Sequence, residues 1–172
     1  MKKIITLIAL VLMPFAISAQ SSNLDVRQNE YPIIDALLDS NWSGAGHLMG
    51  KDATFTMDWK RVLSNKFIKL EFQNKWISED DERIIFKATA LYQIVNNNML
   101  VGSWFDNRGM ILPLSGTINE NELTILWGNE DTEMGKTIYY YNKATKKITV
   151  ADFVMTEGKY AAFGSATYVK ND

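Results

Sequence analysis

Lys66-Phe-Ile-Lys-Leu-Glu-Phe-Gln-Asn-Lys-Trp76 is the stretch that decides how this chain folds. Ile68, Leu70, Phe72 and Trp76 share one face of an extended backbone, and Lys69, Glu71, Gln73 and Lys75 share the other. Successive side chains of a strand point to opposite faces, so this alternation describes a strand with one face buried and one in water. Just upstream, Ala53, Phe55, Met57, Trp59 and Leu63 make the apolar face of another strand, opposed by Thr54, Thr56, Asp58 and Lys60. Arg61 is the exception, a charge on the apolar side.

The rhythm continues in both directions. Aromatic and β-branched runs at 42–50, 83–95, 98–106, 110–118, 122–128, 136–142, 147–155 and 159–170 read as further strands. Ser64-Asn65, Ser78 to Glu82, Asn107-Arg108-Gly109 and Glu157-Gly158 read as the turns between them. About ten strands on short turns make an antiparallel meander. Such a sheet hides its apolar face and removes its edges by closing on itself. The expected fold is therefore all-β, a single up-and-down antiparallel barrel of about 8–10 strands with one short N-terminal helix. Two stacked sheets are the competing arrangement, but they use longer crossing connections than this chain offers.

The helix is expected just before the first strand, where Ile33, Ile34, Leu37 and Leu38 recur at helical spacing. Pro32 suits a first turn, and Asp35 suits the positive end of the helix dipole. Farther upstream, Lys2 and Lys3 precede the apolar run 4–13, which is followed by Pro14 and Ala16-Ile-Ser-Ala19. This is the pattern of a secretory signal peptide cleaved after Ala19; its apolar run falls short of the ~20 residues that span a bilayer. The domain organisation is thus a signal peptide, 1–19, a flexible polar leader, 20–30, and one barrel domain, 31–172, with a secreted or periplasmic destination.

Composition narrows the chemistry. A chain of 172 residues, 47% hydrophobic and 22% charged, fits one compact domain. Losing Lys2 and Lys3 with the signal peptide lowers the formal charge from -2 to -4, and the lysines are scattered with only four arginines among them. Nothing there forms a stripe for phosphates, so nucleic acid is not an expected partner. The absence of cysteine removes disulfides, thiolate ligands and lipid anchoring through an acylated cysteine. One histidine, His47, with no G-x-S-x-G elbow and no HExxH, leaves neither a serine triad nor a zinc site. Phosphate-binding glycine loops are missing as well. The acidic clusters 79–82 and 130–133 lack the spacing of a calcium loop and read as charged turns.

Trp42-Ser-Gly-Ala-Gly46, a W-x-G-x-G opening after a helix, resembles the start of lipocalin-like calycin barrels. Trp104-Phe-Asp-Asn-Arg-Gly109, the glycine-bearing strand 113–117 and Leu123-x-x-x-Trp127 are similar to a family of lipocalin-like secreted proteins without an assigned activity, and the likeness covers most of the mature chain. By that resemblance Trp42 plugs the barrel floor. The architecture is also distantly nitrobindin-like. In nitrobindin-type barrels a late-strand histidine ligates haem, whereas the last strand here, 160–169, has none; the resemblance implies architecture and no cofactor. On physical grounds, Gly44 and Gly46 fall on one face of the first strand and allow the close approach that closure requires.

Five tryptophans, seven tyrosines and eight phenylalanines exceed what a minimal core requires. Rings lining a cup suit a small hydrophobic molecule, and rings on the outer wall suit a protein contact. The first functional expectation is therefore an exported, non-enzymatic barrel that binds a small, largely apolar ligand inside. Its aromatic lining is expected from Phe55, Trp59, Phe72, Trp76 and Tyr92, continued by Trp104, Trp127 and Tyr140. Arg61, Asp106 and Asp152 lie on otherwise apolar faces, and a buried charge demands a partner. An Arg61–carboxylate pair would orient a polar ligand head, with Asp106 among the binding residues; an internal salt bridge, or strand ends emerging into solvent, would explain the same charges. The second expectation is an envelope structural or protein-interaction module with a packed barrel, monomeric or homodimeric, presenting outward rings such as Phe67 and Tyr139. A third has Asp106 or Asp152 acting as acid or base in a cavity, with no substrate indicated.

Overall fold

The computed structural model describes residues 31–96 and 98–171. The expected signal peptide, 1–19, and leader, 20–30, lie outside the described residues. Helix α1 (Pro32–Leu37) is followed by ten strands: β1 (Ser40–Leu48), β2 (Lys51–Val62), β3 (Phe67–Ile77), β4 (Arg83–Val95), β5 (Met99–Asp106), β6 (Ile111–Ile118), β7 (Glu122–Trp127), β8 (Gly135–Asn142), β9 (Lys147–Thr156) and β10 (Lys159–Lys170). Every strand pairs antiparallel with its neighbours in sequence, and β1 pairs with β10, from Trp42 opposite Lys170 to Leu48 opposite Gly164. The result is a closed up-and-down barrel of ten strands, and its antiparallel closed form is compatible with a lipocalin-like fold. Among the described residues no helix is long and apolar enough to cross a membrane.

Alternation sets the inside. In β6, Leu112, Leu114, Gly116 and Ile118 are buried while the residues between them are exposed. Closure depends on the glycines of β1. A side chain at Gly46 would begin 1.9 Å from the Ser165 carbonyl oxygen of β10, and one at Gly44 would begin 2.7 Å from the Tyr168 ring. The first contact is backbone, which cannot swing aside, so Gly46 sets how tightly the seam closes.

The two ends of the barrel differ. The turns after β2, β4, β6 and β8 lie at the same end as α1, and the turns after β1, β3, β5, β7 and β9 lie at the other. Helix α1 packs against β7 and β8, its Ile33 N–H donating to the Glu120 carbonyl, 3.3 Å. Six residues are too few to hold a helix in water; burial of Ile33, Ile34 and Leu37 against the barrel holds this one. Trp42, Trp59, Leu70, Leu100, Ile118, Leu123 and Ile148 are essentially dry and belong with the helix to one hydrophobic core.

Three expectations change. Leu63 belongs to the turn, not to the apolar face of β2: it is 66% exposed, with φ of 51°. Arg61 sits next to the end of β2, half-buried, where the strand emerges from the barrel. Among the three consecutive tyrosines of β8, Tyr139 points inward and is buried, while Tyr140 points outward, 46% exposed. The pairings of Tyr139 with Leu123 and with Val150, both inward residues, fix that parity.

Candidate functional site

The half of the barrel away from α1 is hollow. A cavity of about 560 Å³ extends from Met49, Arg108 and Glu133 at the mouth down to Tyr92 and Tyr139. That volume lies in the range of small-molecule sites. Its floor is aromatic: Tyr92 stacks on Trp59 with centroids 5.7 Å apart, and Tyr139 meets the same indole edge-on at 5.6 Å. Above the floor the rings form a connected belt. Tyr168 touches Phe55, Phe55 touches Phe72, and Phe72 touches both Phe86 and Trp104, with centroid distances of 6.0–6.4 Å. On the opposite wall, Trp127 stands edge-on to Phe163 at 6.4 Å. Gly135 makes room for Trp127, since a side chain there would begin 2.1 Å from the indole.

Phe55, Phe72, Trp76, Tyr92, Trp104 and Trp127 therefore line one cavity, as the alternation of their strands requires. The other expected site residues do not. Trp59 lies beneath the floor because the inward ring of Tyr92 covers it. Tyr140 is on the outer wall by parity. Arg61 is not part of the lining, and the expected Arg61–carboxylate pair with Asp106 or Asp152 does not form, because β2 ends at the opposite end of the barrel from the mouth.

Asp106 works at the rim instead. Its carboxylate accepts hydrogen bonds from the Arg108 N–H at 2.9 Å, from Arg108 Nη2 at 2.7 Å and from the Trp104 indole N–H at 3.2 Å. Burial alone would raise its pKa, but these bonds outweigh it and hold the carboxyl below its ordinary value. Arg108 reaches on to Glu133, in the loop between β7 and β8, and its guanidinium lies 5.3 Å from the centre of the Phe86 ring. The two carboxylates raise the Arg108 pKa still further. Asn107 fixes the same turn, accepting from the Lys87 N–H and donating to the Ile85 carbonyl, each at 3.2 Å. Glu133 is held in a loop whose Asn129 N–H donates to the Thr132 hydroxyl, 2.9 Å. The rim is built, and an ion pair joins two of its turns.

Deeper in the cavity, Asp152 is the carboxylate on an otherwise largely apolar wall. The Thr137 hydroxyl donates to its Oδ1 at 2.6 Å, and burial lifts its pKa to about 6. Burial, together with neighbouring charge that includes Asp152, also pushes the ionisation of Tyr139 and Tyr168 well above that of an ordinary phenol. Asn74 is buried in the wall of β3, its amide oxygen without a hydrogen-bond partner among the described residues. Asn74, Thr137, Arg108 and Glu133 were not expected from the sequence. Only Asn74 carried a visible signal, a polar residue on the parity of Phe72 and Trp76.

Among the described residues, no group of His, Cys, Asp and Glu side chains is gathered to hold a metal ion. His47 is on the outer wall, its Nδ1 3.0 Å from Asp52 Oδ1. A second depression on the outer wall, over β2 to β5, is a broad open groove with polar residues such as Thr56, Glu71, Gln73 and Lys87; it encloses nothing. No protein-family model matches this chain, and no curated protein matches it in sequence.

Proposed function

We propose that this protein is an exported, non-enzymatic barrel of lipocalin-like type that carries a small, largely apolar molecule in its interior. The observation that carries the reading is the half-enclosed, ring-lined cavity of about 560 Å³. A small barrel built only for stability fills its interior with side chains, and this one does so only at the helix end. Apolar walls supply affinity through water released from the rings and from the ligand, and a few polar groups fix orientation. The signal-like N-terminus and the W-x-G-x-G opening accord with an exported, lipocalin-like protein.

The test equilibrates the mature protein with a panel of apolar ligands, lipids and haem included, while following tryptophan fluorescence and native mass. Quenching with a retained ligand mass is expected, because Trp76, Trp104 and Trp127 line the cavity. Unchanged emission and an empty protein with every ligand would overturn the reading.

The alternative of an interaction module draws on the outer wall of β5–β7, where Val101, Phe105, Ile111 and Leu126 are each 39–63% exposed. Light scattering after size exclusion distinguishes the two: a monomer that retains ligand supports the carrier, and a ligand-free homodimer supports the module.

A further inference from the structure

We propose that the molecule seated in this cavity is an apolar amine whose ammonium group binds Asp152. The proposal rests on the cavity reading above and specifies its ligand. The charged residues that line the cavity are Arg108, Glu133 and Asp152. Arg108 is already committed at the rim, to Glu133 and to Asp106. Among the described residues that leaves the negative charge of Asp152 without a cation, in a wall whose neighbours are Val150, Val154, Phe163 and Tyr168.

Among the described residues Thr137 alone hydrogen-bonds to Asp152, through Oδ1. The opposing residue on β10 is Gly164, where a side chain would begin 3.2 Å from Asp152 Oδ2. Gly164 itself brings no side chain to that oxygen, and the nearest other side-chain atom on that side is the apolar Leu48 Cδ1, 3.3 Å from the same point. A half-buried carboxylate in an apolar wall with one neutral donor is costly, and an incoming ammonium supplies both the opposite charge and the missing donors. An alkyl or aryl body then fills the space between the rings, where the belt from Tyr168 to Trp104 offers faces for cation–π contact on the way in. Fatty acids, whose carboxylates would meet Asp152 and Glu133, are disfavoured by the same charges.

The groups facing Asp152 from the adjoining strands are Thr137 and Tyr139 on β8 and Tyr168 on β10, with Arg108 and Glu133 at the mouth. The tyrosines stay neutral, and Arg108 stays charged, through the pH range in which Asp152 titrates. Raising the pH through about 6 ionises Asp152 while an alkylamine remains protonated.

The experiment titrates n-decylamine, n-decanol and sodium decanoate into the mature protein by calorimetry, at pH about 7.5 and about 5, with wild type and Asp152→Asn. At the higher pH the amine is expected to bind about tenfold or more tightly than the alcohol, and the decanoate most weakly. Asp152→Asn keeps an acceptor for Thr137 and should remove the amine's advantage over the alcohol. Lowering the pH should weaken the amine in wild type and leave the alcohol as it was. Decanoate equal to or better than decylamine in wild type overturns the proposal, as does an amine preference that survives Asp152→Asn. If the variant does not fold, the wild-type pH series decides: an amine affinity that does not fall at the lower pH also overturns it. Alcohol binding with no amine preference removes this inference and leaves the carrier standing, whereas no binding by any of the three removes both.

Discussion

The helix end and the mouth of this barrel are built from the same strands with the same alternation, and they come out opposite. At the helix end, α1 adds Ile33, Ile34 and Leu37 to the inward rows, and Trp42, Trp59 and Leu70 lose their contact with water. At the mouth none of the described elements plays that part. Turns bridge the strands there, and Phe72, Trp76, Trp104 and Trp127 remain only partly buried around a space. A short amphipathic segment outside the sheet thus decides which half is core and which half is container.

The comparison breaks most clearly if the two halves respond alike to truncation. Trp59→Ala should cost about 3–5 kcal/mol in chemical denaturation, since it removes a buried ring from beneath the cavity floor. Trp104→Ala should cost less than half as much, because the ring already faces open space. Equal losses would mean that the mouth is as tightly packed as the helix end. Gly46→Val is expected next, at about 3 kcal/mol, by forcing the β1–β10 seam apart where the Ser165 carbonyl approaches. Amide exchange in β1 and β10 should rise with it, and exchange in β5 and β6 should not.

Asp152 sharpens the contrast in the other direction. Its folded pKa of about 6 lies above the ordinary 3.8, so the folded state holds that proton more tightly than the unfolded chain. Stability is therefore lost as pH rises from about 4 to above 6, and Asp152→Asn should gain on the order of 2 kcal/mol over wild type at neutral pH. The gain should vanish below the ordinary carboxylate value. A variant less stable than wild type at neutral pH would show that the carboxylate supports the fold rather than strains it.

The smallest effect belongs to the rim. Arg108→Ala should cost about 1 kcal/mol, because half of that side chain is in water and the enclosed Asp106 carboxylate keeps its Trp104 and backbone donors. Asp106 has the opposite sign to Asp152: its folded pKa is lowered, so its contribution is complete above 3.8 and fades as pH falls through the lower folded value. The difference between Arg108→Ala and wild type should close in the same acid range, as a pH series of thermal melts would record.

Period-2 alternation made the strands legible. The ranges 83–95 and 159–170 agree with β4 and β10 at both ends, because charged or glycine turns bound them sharply. Boundaries blurred where a turn kept an apolar residue, as at Leu63. The aromatic wall was legible for the same reason, since parity places Phe55, Phe72 and Trp104 inward. Tyr139-Tyr140-Tyr141 offers three identical choices, and only the register with β7 and β9 selects among them. The rim was out of reach. Arg108 and Glu133 belong to different turns, and their meeting depends on the shear of the closed sheet, which periodicity does not encode.

The seam between β1 and β10 has a consequence in time. The first strand of the sheet finds its second neighbour only in the tenth, Trp42 with Lys170, and contacts so distant in sequence are slow to form. Until then two long edges stand open to any passing strand. A sheet that closes so late keeps its edges exposed longest, and truncating even part of β10 should leave the barrel open and turn the protein into material that sticks to itself.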